Sequence, residues 1–299
     1  MIQKTSRRAF LAGFGAIAAA GVMPRAEAHA TAKDLQFGYA AITWGDGVRQ
    51  AIDDIAALGF RGIQFRANVI DKFKPAELRD LLQTRNLKFT ALSSGEVMLD
   101  ANPADEIARH VANAHYVKDC GGLYLQLLDK MQSYRRRTTP VECVQLGKLL
   151  SEIGKRAADL GVTVGYHNHL TSLSETPGGL AMVLNAADPR YVKLELDTAH
   201  AVAGGGDPAK LIEQYRDRLL FLHLKDLADR PNTPEYPFQF VELGRGRVDI
   251  PAVFSALYKA DYHGWVVVEL DRVPAGGTTP KESALISRSY LEQKLGVEF

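Results

Sequence analysis

Val192-Lys193-Leu194-Glu195-Leu196-Asp197-Thr198-Ala199-His200 opens with a short strand-like run, Val192–Leu196, that stops at a carboxylate and an imidazole. Runs of this kind, bounded by polar residues, are the mark of parallel strands buried on both faces. Seven more occur along the chain, at Phe37–Ile42, Gly62–Phe65, Lys88–Leu92, Leu123–Leu128, Thr163–Tyr166, Leu220–Leu224 and Trp265–Val268. Between them the apolar spacing predicts helices, among them Val48–Leu58, Pro75–Arg85, Ala104–Asp119, Val141–Leu160, Pro208–Tyr215 and Pro251–Lys259. Eight strands alternating with helices over about 270 residues predict an α/β chain folded as one (β/α)8 barrel. A doubly wound open sheet is the competing architecture. The turn after the first strand, Trp44-Gly45-Asp46-Gly47, lacks the glycine-rich phosphate fingerprint such a sheet carries there.

Composition agrees with a globular enzyme-sized domain. The chain has 299 residues, 46% of them hydrophobic, and a formal charge of +1 from 36 basic and 35 acidic side chains. Disorder is excluded by the apolar content, and the charge gives no footprint for nucleic acid. Two cysteines, Cys120 and Cys143, make neither a disulfide scaffold nor a zinc ribbon, and both read as small core residues.

The first residues are set apart from the fold. Ser6-Arg7-Arg8-Ala9-Phe10-Leu11, an apolar stretch to Met23, and Ala26-Glu27-Ala28 follow the order of a twin-arginine export signal. The apolar stretch is short and diluted by glycine and alanine, so no membrane span is expected. The reading gives a signal peptide at 1–28, a barrel at 29–299, and a periplasmic location. Such export carries proteins that have already folded, commonly around a metal or cofactor.

Polar residues gather where the later strands end. His167 and His169 follow the fifth run, Asp197 and His200 the sixth, His223 and Lys225 sit at the seventh, and Glu269 follows the eighth. In a barrel these carboxyl ends converge on one mouth. Imidazoles and carboxylates there make a mixed N/O site suited to Mn²⁺, Co²⁺, Zn²⁺ or Mg²⁺. Several other residues have milder readings. Alternation is taken to turn His169 away from His167, toward a supporting or loop contact, and Glu195 is placed one step off the pocket face, where it pairs with a buried base. Gly204-Gly205-Gly206 reads as a flexible loop at the mouth, or a lid hinge, and Arg135-Arg136-Arg137 as a solvated charge run. The long connection Ala228–Asp249 is expected over the mouth, as a lid or an oligomer contact.

Asp197-Thr198-Ala199-His200, His223-Leu224-Lys225-Asp226, Leu243-Gly244-Arg245-Gly246-Arg247-Val248-Asp249 and Gly264-Trp265-Val266-Val267-Val268-Glu269 resemble the successive motifs of the xylose isomerase-like TIM-barrel superfamily. That resemblance implies one divalent metal held by Asp197, His223 and Glu269, with His200 touching substrate. The superfamily's fourth ligand, a Glu after strand five, falls on His167. The implied metal set is therefore His167, Asp197, His223 and Glu269. Glu269 is the first choice for a base, His167 the second, with His200 as a further catalytic group. Gln64, Glu96, Gln126, Lys225 and Arg245 are candidate sugar contacts, and Trp44 a candidate platform for a sugar face.

The resemblance implies a small sugar or sugar-derived ketone as substrate. Its leading activity is isomerisation or epimerisation, with proton abstraction beside a carbonyl through a metal-stabilised enediolate. Replacement of one carboxylate by His167 opens the alternative of elimination or hydration on a keto-sugar or keto-glycoside. A sugar-binding barrel without catalysis is the reading from another class.

Overall fold

The computed structural model describes residues 34–130, 138–230, 237–276 and 279–299. The leader and the Arg135-Arg136-Arg137 run lie outside the described residues. The eight expected strands are β1 (Gln36–Ala40), β2 (Gly62–Arg66), β3 (Lys88–Val97), β4 (Tyr124–Asp129), β5 (Thr163–His167), β6 (Val192–Asp197), β7 (Leu219–Leu224) and β10 (Trp265–Val268). All neighbours pair in parallel, and the sheet closes where Phe37 of β1 meets Val266 of β10. Outside the barrel, β8 (Asp226–Asp229) and β9 (Phe238–Val241) form an antiparallel pair.

Helices pack round the sheet: α1 (Val48–Ala57), α2 (Pro75–Thr84), α3 (Pro103–Asp119), α4 (Pro140–Asp159), α5 (Pro177–Ala186), α6 (Thr198–Ala203), α7 (Pro208–Tyr215), α8 (Ile250–Lys259) and α9 (Pro280–Leu295). A cap-then-proline device starts several of them. Thr139, Thr176, Asp207 and Thr279 each accept backbone N–H bonds from the first turn, and a proline follows each at the first helical position. Three helices leave a faint periodic signal. α6 has six residues, and α5 is apolar almost all round. α9 turns Ser283, Ala284, Ser287 and Leu291 inward, so its buried face is mostly small rather than greasy.

Two apolar layers result. The larger lies between sheet and helices and includes Tyr39, Ile63, Leu146, Tyr166 and Phe254. The smaller fills the bottom of the barrel with Ala40, Ala91, Phe221, Trp265 and Val267, and Tyr124 stacks on Phe221 at 5.3 Å. Trp265 lies so close to Gly62 that any β-carbon there would strike the indole. This plug seals the floor and leaves the upper interior to polar side chains. Cys120 and Cys143 are free and buried.

The glycine triplet after α6 is a packed helix end and not a hinge. Gly205, at φ +82°, donates to Val202 O at 3.1 Å, and Gly206 donates to Ala201 O at 2.7 Å. That is the Schellman pattern of a left-handed helix stop. Gly204 presses on the backbone carbonyl of Glu175, whereas a β-carbon on Gly205 would meet nothing. Gly204→Ala should therefore cost about 1–3 kcal/mol of overpacking and lower Tm by several degrees. Gly205→Ala should cost only the roughly 1–2 kcal/mol of a left-handed alanine. Thermal melts of the two variants check the order; a milder Gly204→Ala would contradict it.

Candidate active site

Register brings the polar strand ends into one cluster. Asp197 on β6 stands beside His223 on β7, and Glu269, just past β10, donates its N–H to Leu224 O at 3.1 Å. His223 Nδ1 lies 3.4 Å from Glu269 Oε2 and 3.8 Å from Asp197 Oδ2. The His167 ring, ending β5, sits 5.0 Å from the His223 ring. Lys225 reaches into the same space and donates to Glu269 Oε1 at 2.9 Å and Asp271 Oδ1 at 2.5 Å. The Phe240 ring of β9 covers this ammonium at 4.1 Å. The Ala228–Asp249 connection thus does reach the site, as a hairpin packed on Lys225.

Side chains also fasten the strand ends to one another. Asn168 donates to Asp197 O at 3.2 Å and accepts from Asp197 N at 2.8 Å, which pins β6 to the end of β5. The Thr198 hydroxyl accepts from Lys225 N at 2.9 Å and donates to Lys225 O at 2.7 Å. Beneath, His223 Nε2 donates to Gln64 Oε1 at 2.7 Å, and Gln64 Nε2 donates to Gln126 Oε1 at 2.7 Å. That chain turns His223 Nδ1 toward the carboxylates.

Burial sets the electrostatics. Burial alone would push the His223 imidazole down, but Glu195, Glu269 and Asp197 outweigh it and hold it well above its ordinary value. Burial would raise Glu269, yet His223 and Lys225 hold it well below the carboxylate range. Glu195 is pushed up to about 7 by burial against the pull of His223. Burial, reinforced by neighbouring cationic groups, keeps His167 and His200 well below the imidazole range. The cluster therefore pairs an ionised Glu269 with a protonated His223, beside the neutral imidazoles of His167 and His200.

The donor set fits a divalent cation. Ligand atoms of His167, Asp197 and His223 lie within 4.8 Å of one another. Asp197 Oδ2 and His223 Nδ1 are buried and have no hydrogen-bond partner, a condition that costs free energy unless something fills it. The carboxylates that hold a proton on His223 would equally hold a metal there. Glu269 Oε2 stands next to this set, and its other oxygen is held by Lys225. A second group, His167, His169 and His200, also brings three imidazoles within ligand reach.

A cavity of 880 Å³ opens over the cluster, and Gln64, Glu96, Gln126, His167 and Glu269 all line it. His169 lines it too, correcting the outward placement: just past the end of β5, its ring lies 5.5 Å from the His167 ring and 3.8 Å from that of His200, tilted by 39°. His200 stands behind that ring, with Nδ1 accepting from Leu170 N at 3.3 Å. Glu195 lies one layer below Asp197, off the cavity lining, and pairs with a buried base, as expected. Its Oε1 lies 2.8 Å from His223 Nε2, off the line of the N–H bond to Gln64.

Two candidate contacts lie elsewhere. Trp44 does not wall the cavity: its indole donates to Asp54 Oδ2 at 3.0 Å and packs edge-on against Tyr39. Ile42 and Gly45 take its place in the lining. Arg245 is drawn to Glu242 at 3.2 Å, on a turn built round Asp226. That carboxylate accepts N–H bonds from Leu227, Gly244, Gly246 and Val248, a tight anchor that carries Arg245 away from the mouth.

One network escaped sequence reasoning. Ser94 Oγ and His110 Nδ1 are 2.6 Å apart, His110 Nε2 is 3.6 Å from Glu106, and Arg109 donates to Glu96 O at 2.6 Å. The order of groups resembles a nucleophilic triad, but Ser94 and His110 are buried and wall no cavity among those described. The network braces the irregular end of β3, where the register shifts between Ser93 and Glu96.

Residues 52–293 match the model of a family described as xylose isomerase-like TIM barrel. The chain belongs to that family. Among curated family relatives, the inosose dehydratase of Lacticaseibacillus casei is 27% identical over 296 residues, 88% of this chain and 98% of the relative. That of Bacillus velezensis is 24% identical over 298 residues, 88% of this chain and 97% of its own length. Solved structures share the fold. The protein IOLI with a bound zinc atom is 20% identical at a TM-score of 0.73, covering 88% of this chain and 99% of that one. A D-allulose 3-epimerase from Methylomonas sp. is 22% identical at 0.70, over 87% and 98%.

Within this family barrel, one measurement tests the metal cluster and another the Ser94–His110 network. Asp197→Asn keeps an oxygen for the N-terminal cap of α6 but removes the charge, so divalent-metal affinity should fall more than about 100-fold while Tm changes little. Metal titration of the stripped protein checks it. The second concerns pH. Burial, with Arg109 adding, lowers His110 to about 4 against the pull of Glu106. Unfolding then takes up a proton below about 6.5, so stability should fall as pH drops from there toward 4. The fall in Tm over that window should be shallower in His110→Gln, and equal slopes would refute the neutral imidazole.

Proposed function

We propose that the chain is a divalent-metal-dependent dehydratase acting on keto-polyols of the inosose type. The observation that carries this reading is the asymmetry of the cavity wall. Epimerisation asks for equivalent proton carriers on both faces of the substrate, ordinarily a pair of carboxylates. Here Glu269 is the carboxylate of the metal cluster that lines the cavity, and His167 and His169 stand three strands round the barrel. One base and a different acid suit elimination. The inosose dehydratases among the relatives support the same choice over isomerisation.

Glu269, ionised and steadied by Lys225, takes the proton from the carbon beside the carbonyl. His169, which lines the cavity outside the metal set of His167, Asp197 and His223, is placed to relay a proton to the departing hydroxyl. Gln126 and Glu96 offer hydrogen bonds to the ring hydroxyls. A bound divalent ion supplies Lewis acidity, polarising the carbonyl and stabilising negative charge on its oxygen. Loss of water leaves an enol that relaxes to a 1,2-diketone. On the twin-arginine reading of residues 1–28, this chemistry takes place in the periplasm.

Incubating metal-loaded protein with an inosose should give a rising ultraviolet absorbance from the unsaturated product. Glu269→Gln should lower kcat by about 100-fold or more. Exchange of the substrate's carbon-bound proton in D₂O without loss of water would favour epimerisation. Full activity of metal-stripped Glu269→Gln protein would overturn the metal-assisted reading altogether.

A further inference from the structure

The amino ends of the strands carry a second cavity, at the opposite end of the barrel from the catalytic mouth. It measures 760 Å³ and shares no lining residue with the cavity over Glu269. Its place follows from where the strands begin. Arg61 stands just before β2, Lys88 opens β3, Leu123 stands just before β4 and Trp265 opens β10. Arg61 N donates to Phe37 O at 2.9 Å and Lys88 N donates to Arg61 O at 2.8 Å, which fixes both residues at adjacent strand starts. From α2, Arg79 reaches the same opening.

The wall divides into two chemistries. Leu82, Leu87, Phe89 and Trp265 are buried and give the cavity an apolar floor, and Trp265 belongs also to the plug above it. Arg61, Arg79 and Lys88 are exposed and stand at its rim. No acidic side chain is among the described residues that line it. In a chain with 36 basic and 35 acidic side chains, three cations with no lining carboxylate make a local positive excess.

Two of the cations are held by carbonyls. Lys88 Nζ donates to Gly121 O at 2.8 Å, and Arg79 Nη1 donates to Asp119 O at 3.5 Å. A carbonyl fixes the direction of a cation but leaves its charge uncancelled. Arg79 also stands 3.6 Å from Asp80, an exposed pair that screens little. The Arg61 guanidinium has no hydrogen-bond or ion-pair partner among the described residues.

We propose that this cavity binds a small organic carboxylate with a flat apolar body, its ring against Phe89 and Trp265 and its charge at Arg61 and Lys88. Each simpler ligand leaves half of the wall unused. A polyol matches neither the apolar floor nor the cations, and an inorganic anion matches only the rim. A guanidinium receives a carboxylate on two parallel N–H bonds, and an aromatic ring gains from burial against apolar side chains. Cavities of about 300–1,000 Å³ are the usual size for such ligands. The proposal is independent of the dehydratase reading, since none of these residues reaches the mouth.

Calorimetric titration of the metal-loaded protein with phenylacetate, phenylacetamide and acetate tests it. Phenylacetate should bind at least about tenfold more tightly than either, because the amide lacks the charge and acetate lacks the ring. Its affinity should fall as salt is raised. In the double variant Arg61→Gln, Lys88→Gln the preference for phenylacetate over the amide should disappear, with Tm and divalent-metal affinity unchanged. Metal-stripped protein should bind phenylacetate as tightly as the loaded protein, which separates this cavity from a carboxylate bound to the metal at the mouth. Absence of phenylacetate binding, equal affinity for the amide, or a preference that survives the double variant would overturn the proposal. So would binding that is lost with the metal, and acetate binding as tightly as phenylacetate would reduce the rim to a simple anion contact and overturn it as well.

Discussion

Charge buried at the barrel mouth governs this molecule. Glu195, Asp197, His223 and Lys225 are all at most 1% exposed, and Glu269 is 8% exposed. Removing such groups from water is costly unless each is paired. The pairing is complete for Lys225, which sits between Glu269 and Asp271. It is incomplete around Asp197 and His223, where buried atoms have no partner. A proton on His223 offsets the excess of negative charge in the bare protein, and a divalent ion would do so more fully. The tendency to bind a cation thus follows from the same imbalance that makes the cluster expensive to fold.

The scaffold is arranged to tolerate that cost. The plug of Phe221, Trp265 and Val267 keeps water from entering beneath, and Tyr124 stacks on it. Above it, Gln64 and Gln126 give His223 a neutral hydrogen-bonding floor. The β8–β9 hairpin closes one side of the mouth with an aromatic ring instead of another charge. Removing the Phe240 ring would expose Lys225 and His200 together, so this loop acts on the site's dielectric as much as on its shape.

The barrel was legible because its strands are buried on both faces and read as continuous apolar runs. Val192–Asp197 and Trp265–Val268 differ from their expected spans by at most one residue. The site's location was legible for the same reason, since a strand that ends in Asp197 or Glu269 must present it at the mouth. What escaped was side-chain direction and local capture. Alternation alone misplaces His169, which lies beside His167 and His200 on the cavity wall. Trp44 and Arg245 are pulled away by Asp54 and Glu242, partners that no sequence spacing reveals. Asn168 and Thr198 act on backbone atoms of neighbouring strands, contacts made only after closure. The hairpin was hidden because four-residue strands carry too little pattern.

Those two side-chain clasps have a consequence for how the site can change. Asn168 and Thr198 fix where the backbone of β6 and β7 ends, independently of what Asp197 or Lys225 does chemically. His167 lies immediately before one clasp and contributes nothing to it. A ligand at that position can be exchanged, carboxylate for imidazole, while the neighbouring main chain stays where it was. Scaffold and reactivity are thus held by different atoms, and one codon is enough to try a new reaction on an old mouth.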